Sequence, residues 1–255
     1  MATLSQLLSE AKEAKNLQLP SKEIIEKIYL GYLDDKDNSW KKKKSFAPSG
    51  LFYGSGACAR RWYLSFDGGM YDSKTTPMQL ANMKNGIKSH ERIQEAMLKS
   101  GVATEVEIEV KLEDPPIFGF ADAKIVHDDE YVGEIKTTSH KNFEYRRNTN
   151  KIADYHLGQM LIYMYILGIN KGIVIYESKD TNELHGITFE MTEEYREQVE
   201  GILEWCRKVW AMHQNEEMPA RGFRKDSKVC KSCPVEERCD MIEGGIKVER
   251  LPFNI

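Results

Sequence analysis

The chain has 255 residues, of which 41% are hydrophobic and 30% charged, with a formal net charge of −4. That length suits one large domain or a domain with appendages, and the composition is ordinary for a soluble globular protein. No apolar run is long enough to cross a bilayer, and the negative balance excludes a global positive field, so contact with nucleic acid has to come from local patches.

The start, MATLSQLLSEAKEAK, lacks the basic, apolar and cleavage regions of a signal peptide, and a cytoplasmic protein is expected. Leu4–Lys15 and Ser21–Leu33 predict two amphipathic helices, with Ser21 as an N-cap. DDKDNSWKKKKS reads as a charged linker whose Lys41–Lys44 run is a solvated loop, with a phosphate contact as the alternative, and residues 1–44 are expected to form an N-terminal appendage. APSGLFYGSGACARRWYLSF carries glycine punctuation and then a short helix with Cys58, and Met78–Ser100 predicts a long helix closed by Gly101. The pattern then changes to period two. In TEVEIEVKLE, Val106, Ile108, Val110 and Leu112 are expected on one face and Glu105, Glu107, Glu109 and Lys111 on the other. IFGFADAKIV and YVGEIKTTS predict a hairpin across His127–Asp129, IADYHLGQMLIYMYILG an apolar helix, KGIVIYES and LHGITFEM two more strands, and TEEYREQVEGILEWCRKVWAMHQ the last long helix. The order of helix, three strands, helix, two strands and helix predicts an α/β architecture on a mixed sheet.

Five cysteines are present, and in a reducing compartment a clustered pattern favours metal over disulfide. Cys230, Cys233 and Cys239 form a C-x2-C-x5-C cluster, three ligands where metal centres held by cysteine usually take four. Cys206 shares a helical stripe with Val199, Ile202, Leu203, Val209 and Trp210 and reads as a packing residue. Cys58 is either a helix-core cysteine or the fourth ligand.

The hairpin carries the chemistry. Glu134 and Lys136 stand two apart on a strand, so both leave one face, while Ile135 points into a core and can still turn its carbonyl to the acidic side. Asp122 interrupts the preceding apolar strand, and two carboxylates from neighbouring strands make a hard oxygen site suited to Mg²⁺ or Mn²⁺. A lysine beside it can polarise water and neutralise charge on a phosphate. Opposed residues of an antiparallel pair share a face, so Asp122 meets Glu134 only if the loop count is odd or a bulge intervenes.

In order along the chain, NGIKSHE, GFADA, GEIK and QMLIY resemble the motif series of the RecB-like branch of the PD-(D/E)XK nuclease superfamily. One early cysteine with a late C-x2-C-x5-C resembles its iron–sulfur members: the CRISPR-associated Cas-type exonucleases, the AddB-type nuclease domains and their phage relatives. The resemblance runs from about Ser49 to Asp240, within a predicted nuclease domain of 45–240 followed by a tail of 241–255. It implies a restriction-endonuclease-like mixed sheet flanked by helices, with a 4Fe–4S cluster on Cys58, Cys230, Cys233 and Cys239 clasping the two ends of the domain; zinc is the rival metal. It implies a metal held by His90, Asp122, Glu134 and the Ile135 carbonyl, with Lys136 as the catalytic lysine and Gln159 and Tyr163 beside the site. The expected activity is Mg²⁺- or Mn²⁺-dependent DNA cleavage, exonucleolytic on DNA ends or single strands. The alternatives are a non-cleaving iron–sulfur DNA-binding or adaptor subunit, or a zinc-clasped enzyme directed at RNA. DNA is the expected partner, with no membrane, in the company of helicase, recombination or CRISPR adaptation proteins in a bacterial, archaeal or phage-infected cell. For DNA contact, Arg60 and Arg61 with Trp62 and Tyr63, and Arg146, Arg147 and Tyr155, combine cation and aromatic character, which suits single strands; for Trp62, Tyr63, Tyr155 and Tyr163, packing is the competing reading.

Overall fold

The computed structural model describes residues 18–34, 42–68 and 75–253. The predicted helix Leu4–Lys15 and most of the charged linker lie outside them. The chain divides into two compact units, one of 1–38 with 75–85 and one of 39–74 with 86–255.

The described part of the smaller unit holds helix α1 (Gln18–Asp34) and the first turns of helix α4 (Pro77–Ser100). Helix α1 begins three residues before the predicted start, so Ser21 lies inside it and is no N-cap. Lys84 stands over the Tyr32 ring, 5.7 Å from its centroid.

The larger unit is built on a five-stranded sheet in the order β1 (Ala103–Leu112), β2 (Ile117–His127), β3 (Asp129–Thr138), β4 (Lys171–Ser178), β5 (Leu184–Glu190). Only β3 and β4 run parallel. A parallel pair needs a crossover, and helices α5 (His140–Thr149) and α6 (Asp154–Leu167) supply it. Two short helices, α2 (Pro48–Leu51) and α3 (Ala59–Asp67), precede α4. Helix α7 (Glu193–Gln214) starts on Thr192, whose hydroxyl accepts from the Tyr195 N–H, and two short turns, α8 (Lys228–Lys231) and α9 (Glu236–Asp240), carry the late cysteines.

Apolar layers fix this arrangement. Ile93 and Met97 of α4 cover Ala103, Ala123, Ile125, Ile135 and Ile175. Met160, Tyr163 and Met164 of α6, with Phe143 of α5, cover Val110, Ala121, Val132, Val174 and Tyr176. Behind α6, a layer of α3 and α7 joins Trp62, Phe66, Leu161, Ile202, Trp205 and Cys206, which confirms Cys206 as a packing residue; burial pushes its thiol up. The segment after Asp240 packs on the same unit: Leu251 N–H donates to the Ala57 carbonyl at 3.1 Å, and Leu251 is buried.

Three expectations need correction. Helix α5 was not anticipated, because Phe143 is its one buried residue and no stripe announces it. Its first turn is satisfied from outside, the His140 N–H donating to Asp180 Oδ2 at 2.9 Å. Strand β1 does not keep one apolar face: Ile108 and Val110 pack with α6, whereas Val106 packs with α4. The cause is Glu107, whose φ of +52° is foreign to a strand and flips the alternation. Trp62 and Tyr63 are not available for base stacking; both are buried, Trp62 among Phe46, Phe66 and Trp205 and Tyr63 beside Cys233 and Cys239.

Candidate active site

The β2–β3 hairpin turns at Asp128, with φ +59° and His127 paired to Asp129. This odd count is the one the sequence required. The ladder runs to Ala123↔Gly133 and stops, and the same register carried one step further sets Asp122 level with Glu134. On the other side the β1–β2 ladder pairs Val106 with Ala123 and Ile108 with Ala121, passing over Glu107 and Asp122. Asp122 therefore sits where both ladders open, and its side chain replaces a missing ladder bond: Oδ2 accepts from the Ile135 N–H at 2.6 Å. Gln94 of α4 bridges the same break, its Nε2 donating to the Asp122 carbonyl at 2.9 Å and to Glu107 Oε1 at 2.7 Å.

His90, one turn earlier on α4, places Nδ1 3.4 Å from Asp122 Oδ1. Burial alone would lower its pKa, but the hydrogen bond and charge of Asp122 raise it. Glu134 is 2% exposed. Burial pushes its carboxyl up to about 7, against the pull of Lys136 and with the push of Asp122. Lys136 forms an ion pair with Glu134 Oε1. Burial acts to lower the lysine, yet the Glu134 charge wins and its pKa is raised, so the ammonium is held protonated. From the opposite layer Gln159 Nε2 donates to Glu134 Oε1 at 2.7 Å and to Tyr163 Oη at 3.2 Å. Burial and the Glu134 charge raise Tyr163, which stays a neutral phenol. The structure thus brings His90, Asp122, Glu134, Ile135, Lys136, Gln159 and Tyr163 to one place, and adds Gln94 and Glu107, which sequence reasoning missed. The only sequence sign of Glu107 is its position level with Asp122 on the next strand.

Among the described residues no three or more His, Cys, Asp and Glu side chains stand as a formed metal site. The donor set nonetheless fits a hard cation. Glu134 Oε2 is buried without a hydrogen-bond partner, which is costly for a carboxylate oxygen, and the register sets Glu134 level with Asp122, which in turn meets His90. Oxygen donors with one imidazole suit Mg²⁺ or Mn²⁺.

A second cluster of side chains lies at the chain's other motif. Cys58, Cys230, Cys233 and Cys239 are all buried and unbridged, and all four line one small pocket together with Ser55, Arg61 and Arg221. Cys58 caps α3, and Ser227 Oγ accepts from the Cys230 N–H at 3.2 Å to set the late turn. Burial raises the thiols of Cys233 and Cys239. Arg60 Nη1 lies 3.9 Å from Cys239 Sγ, and Arg221 Nη2 donates to the Cys239 carbonyl at 3.1 Å. Four sulfurs with cationic neighbours suit a thiolate-bound metal, whose negative charge the arginines offset.

Of the residues expected on DNA, Arg60 is a correction. It is 2% exposed, and its guanidinium is taken by the carbonyls of Pro219, Ile242 and Gly244. It fastens the C-terminal segment and offers nothing to a phosphate. Arg61 lies over the Trp62 ring, 4.2 Å from its centroid, and lines the cysteine cavity. Arg146 stands over Tyr145 and Tyr176, and Arg147 pairs with Glu144 and Glu183. Tyr155 is exposed.

A mixed sheet that presents an aspartate, a glutamate and a lysine from one opened hairpin, backed by helices on both faces, is the core of a nuclease fold. The chain belongs to the PD-(D/E)XK nuclease superfamily: the family model matches residues 88–240, more than half of the chain and all of the motifs from His90 to Cys239. No curated protein sequence matches it. Among solved structures it is similar to the crystal structure of SSO0001, at 18% identity over 82% of this chain and 92% of that one, with a TM-score of 0.45. It is also similar to an alkaline exonuclease, LHK-Exo, from Laribacter hongkongensis, at 13% identity over 75% of this chain and 95% of that one, with a TM-score of 0.47. The complex of LHK-Exo with dAMP matches at 13% identity over 75% and 93% of the two chains, with a TM-score of 0.46.

Proposed function

We propose that the protein is a Mg²⁺- or Mn²⁺-dependent deoxyribonuclease, an exonuclease acting on DNA ends or single strands. The observation that carries this reading is the buried, unpartnered Glu134 Oε2 set level with Asp122, where the β2–β3 ladder ends and the β1–β2 ladder is interrupted. His90, Asp122, Glu134 and the Ile135 carbonyl would hold the cation. When bound, the ion supplies Lewis-acid polarisation and neutralises charge at the phosphate. Lys136 is a cation in this setting, so it acts as an electrostatic donor to the phosphate and orients water rather than removing its proton. Gln159 is a positioning residue: its amide holds Glu134 Oε1, leaving Oε2 for the cation. Gln94 holds the Asp122 backbone in the opened ladder.

Cys58, Cys230, Cys233 and Cys239 are assigned in the same reading to a 4Fe–4S cluster that clasps the two ends of the larger unit, with zinc as the rival. The support is four buried, unbridged sulfurs around one cavity. Anaerobic purification followed by iron and zinc assays tests the cage. End-labelled single and double strands, incubated with Mg²⁺, Mn²⁺ or neither, test the chemistry. No metal-dependent cleavage of either strand form would reject the nuclease reading, and zinc without iron would reject the cluster.

A further inference from the structure

Tyr53 is 70% exposed, yet the turn that carries it is closed on both sides. Phe52 packs on Phe253 with ring centroids 4.5 Å apart, and a Cβ at Gly158 of α6 would fall 2.8 Å from the Phe52 ring. Beyond Tyr53, a Cβ at Gly56 would fall 2.1 Å from the Gly50 carbonyl oxygen, and Trp62 Nε1 donates to the Gly56 carbonyl at 2.7 Å. A large ring is thus displayed on a fixed support, where its ordering costs little conformational entropy on binding.

The Tyr53 ring meets Tyr155, 42% exposed, edge to face at 5.7 Å. Tyr155 meets His156 at 4.2 Å, and His156 Nδ1 lies 3.0 Å from Tyr176 Oη. Tyr176 is paired with Lys136 across the parallel β3–β4 ladder, so a continuous row of rings leads from open solvent to the active-site lysine. Arg146 flanks the row, 5.8 Å from the Tyr176 centroid. His156 adds no charge of its own: burial, Lys136 and Arg146 push it down to about 3. Exposed rings beside two fixed cations, in a chain of net negative charge, match an occupant with flat apolar faces and a negatively charged backbone. In a duplex those faces are already stacked on one another. In a single strand they are free.

We propose that Tyr53 and Tyr155 form a stacking clamp that takes an unpaired base of single-stranded DNA and sets the adjoining phosphate toward Arg146 and Lys136. This rests on the nuclease reading and deepens it, because it selects single strands over duplex. Tyr53 is the finger that sequence reasoning did not single out, and it shares the short segment 53–58 with Cys58.

The test is binding of the full-length chain to a fluorescent oligothymidine, to a duplex of the same length and to an abasic strand, read by anisotropy without divalent cation so that nothing is cut. Tyr53→Ala and Tyr155→Ala should each weaken oligothymidine binding by about 5- to 150-fold, the range for losing one base–aromatic stack. Tyr53→Phe and Tyr155→Phe keep the ring and should stay within about twofold. Duplex and abasic-strand binding should be the same in all five proteins. Alanine variants that bind oligothymidine like the parent, or phenylalanine variants that lose as much as alanine, would overturn the clamp. Equal weakening on duplex and on abasic strand would also overturn it. A parent that needs the tyrosines for binding but cleaves nothing in Mg²⁺ or Mn²⁺ would sink the nuclease reading and leave the clamp standing; a parent that cleaves with tyrosine-independent binding would do the reverse.

Discussion

In the proposed metal site, Glu134 should set a pH dependence on cation binding whose size follows from its surroundings. Burial pushes its carboxyl up to about 7, Lys136 pulling against that and Asp122 adding to it. A cation requires the ionised carboxylate, so it has to displace any proton that Glu134 carries. The sign is therefore fixed: the metal-free protein favours the neutral acid as pH falls, and metal affinity rises with pH. With a pKa of about 7, roughly one molecule in ten is ionised at pH 6, half at pH 7 and nine in ten at pH 8. Affinity for Mn²⁺ should then be about tenfold tighter at pH 8 than at pH 6, with about 0.9 proton released per ion at pH 6 and about 0.1 at pH 8. His90, raised by Asp122, steepens the trend if it also binds the ion. Calorimetric titration with Mn²⁺ in two buffers of different ionisation enthalpy reads both quantities. Affinity that stays flat from pH 6 to pH 8 with no proton release would refute the assignment of Glu134 as a buried ligand.

Cys58→Ala should lose iron and lower Tm by more than about 4 °C; removing one small buried side chain without a metal would cost about 1 kcal/mol, which is about 2–4 °C in a chain of this size. Full iron content at an unchanged Tm would mean that Cys58 is not the fourth ligand. Neutralising Arg146 and Arg147 together should reduce the slope of log K against log salt on a single strand by about 0.7 for each phosphate that the arginines had neutralised; because Arg147 already pairs with Glu144 and Glu183, most of the change should come from Arg146. An unchanged slope would leave both as ordinary surface arginines. Gln159→Ala frees Glu134 Oε1 from its amide partner and should cut cleavage by about 10- to 100-fold with a smaller loss in strand binding, as for other groups that orient a ligand; equal losses in binding and cleavage would contradict a positioning role.

Local periodicity made most of this fold legible. Val174 and Tyr176, Ile202 and Cys206, and Gly101 at a helix end all follow rules that operate within one element. The hairpin register was legible too, because the face requirement on Asp122 and Glu134 constrains the loop between them. What escaped was decided by partners far along the chain. Arg60 looks like a surface cation until Pro219, Ile242 and Gly244 are folded over it. Trp62 and Tyr63 look like stacking residues until α7 and the cysteine turns bury them. Helix α5 has too few buried positions to show a period, and its N–H partner Asp180 lies across the parallel crossover. The flip at Glu107 exists because the ladder opens for Asp122, a tertiary event with no local signature.

The central claim is that the opened hairpin is a metal-dependent phosphodiesterase centre, and cleavage of end-labelled single-stranded DNA by parent protein and Glu134→Ala, side by side with and without Mn²⁺, tests it most directly. The parent should release labelled products only with metal. Glu134→Ala should fall by roughly 10³-fold, while keeping its fold, its cage metal and its affinity for the strand. Cleavage by Glu134→Ala at the parent rate, or by the parent without any divalent cation, would contradict the claim.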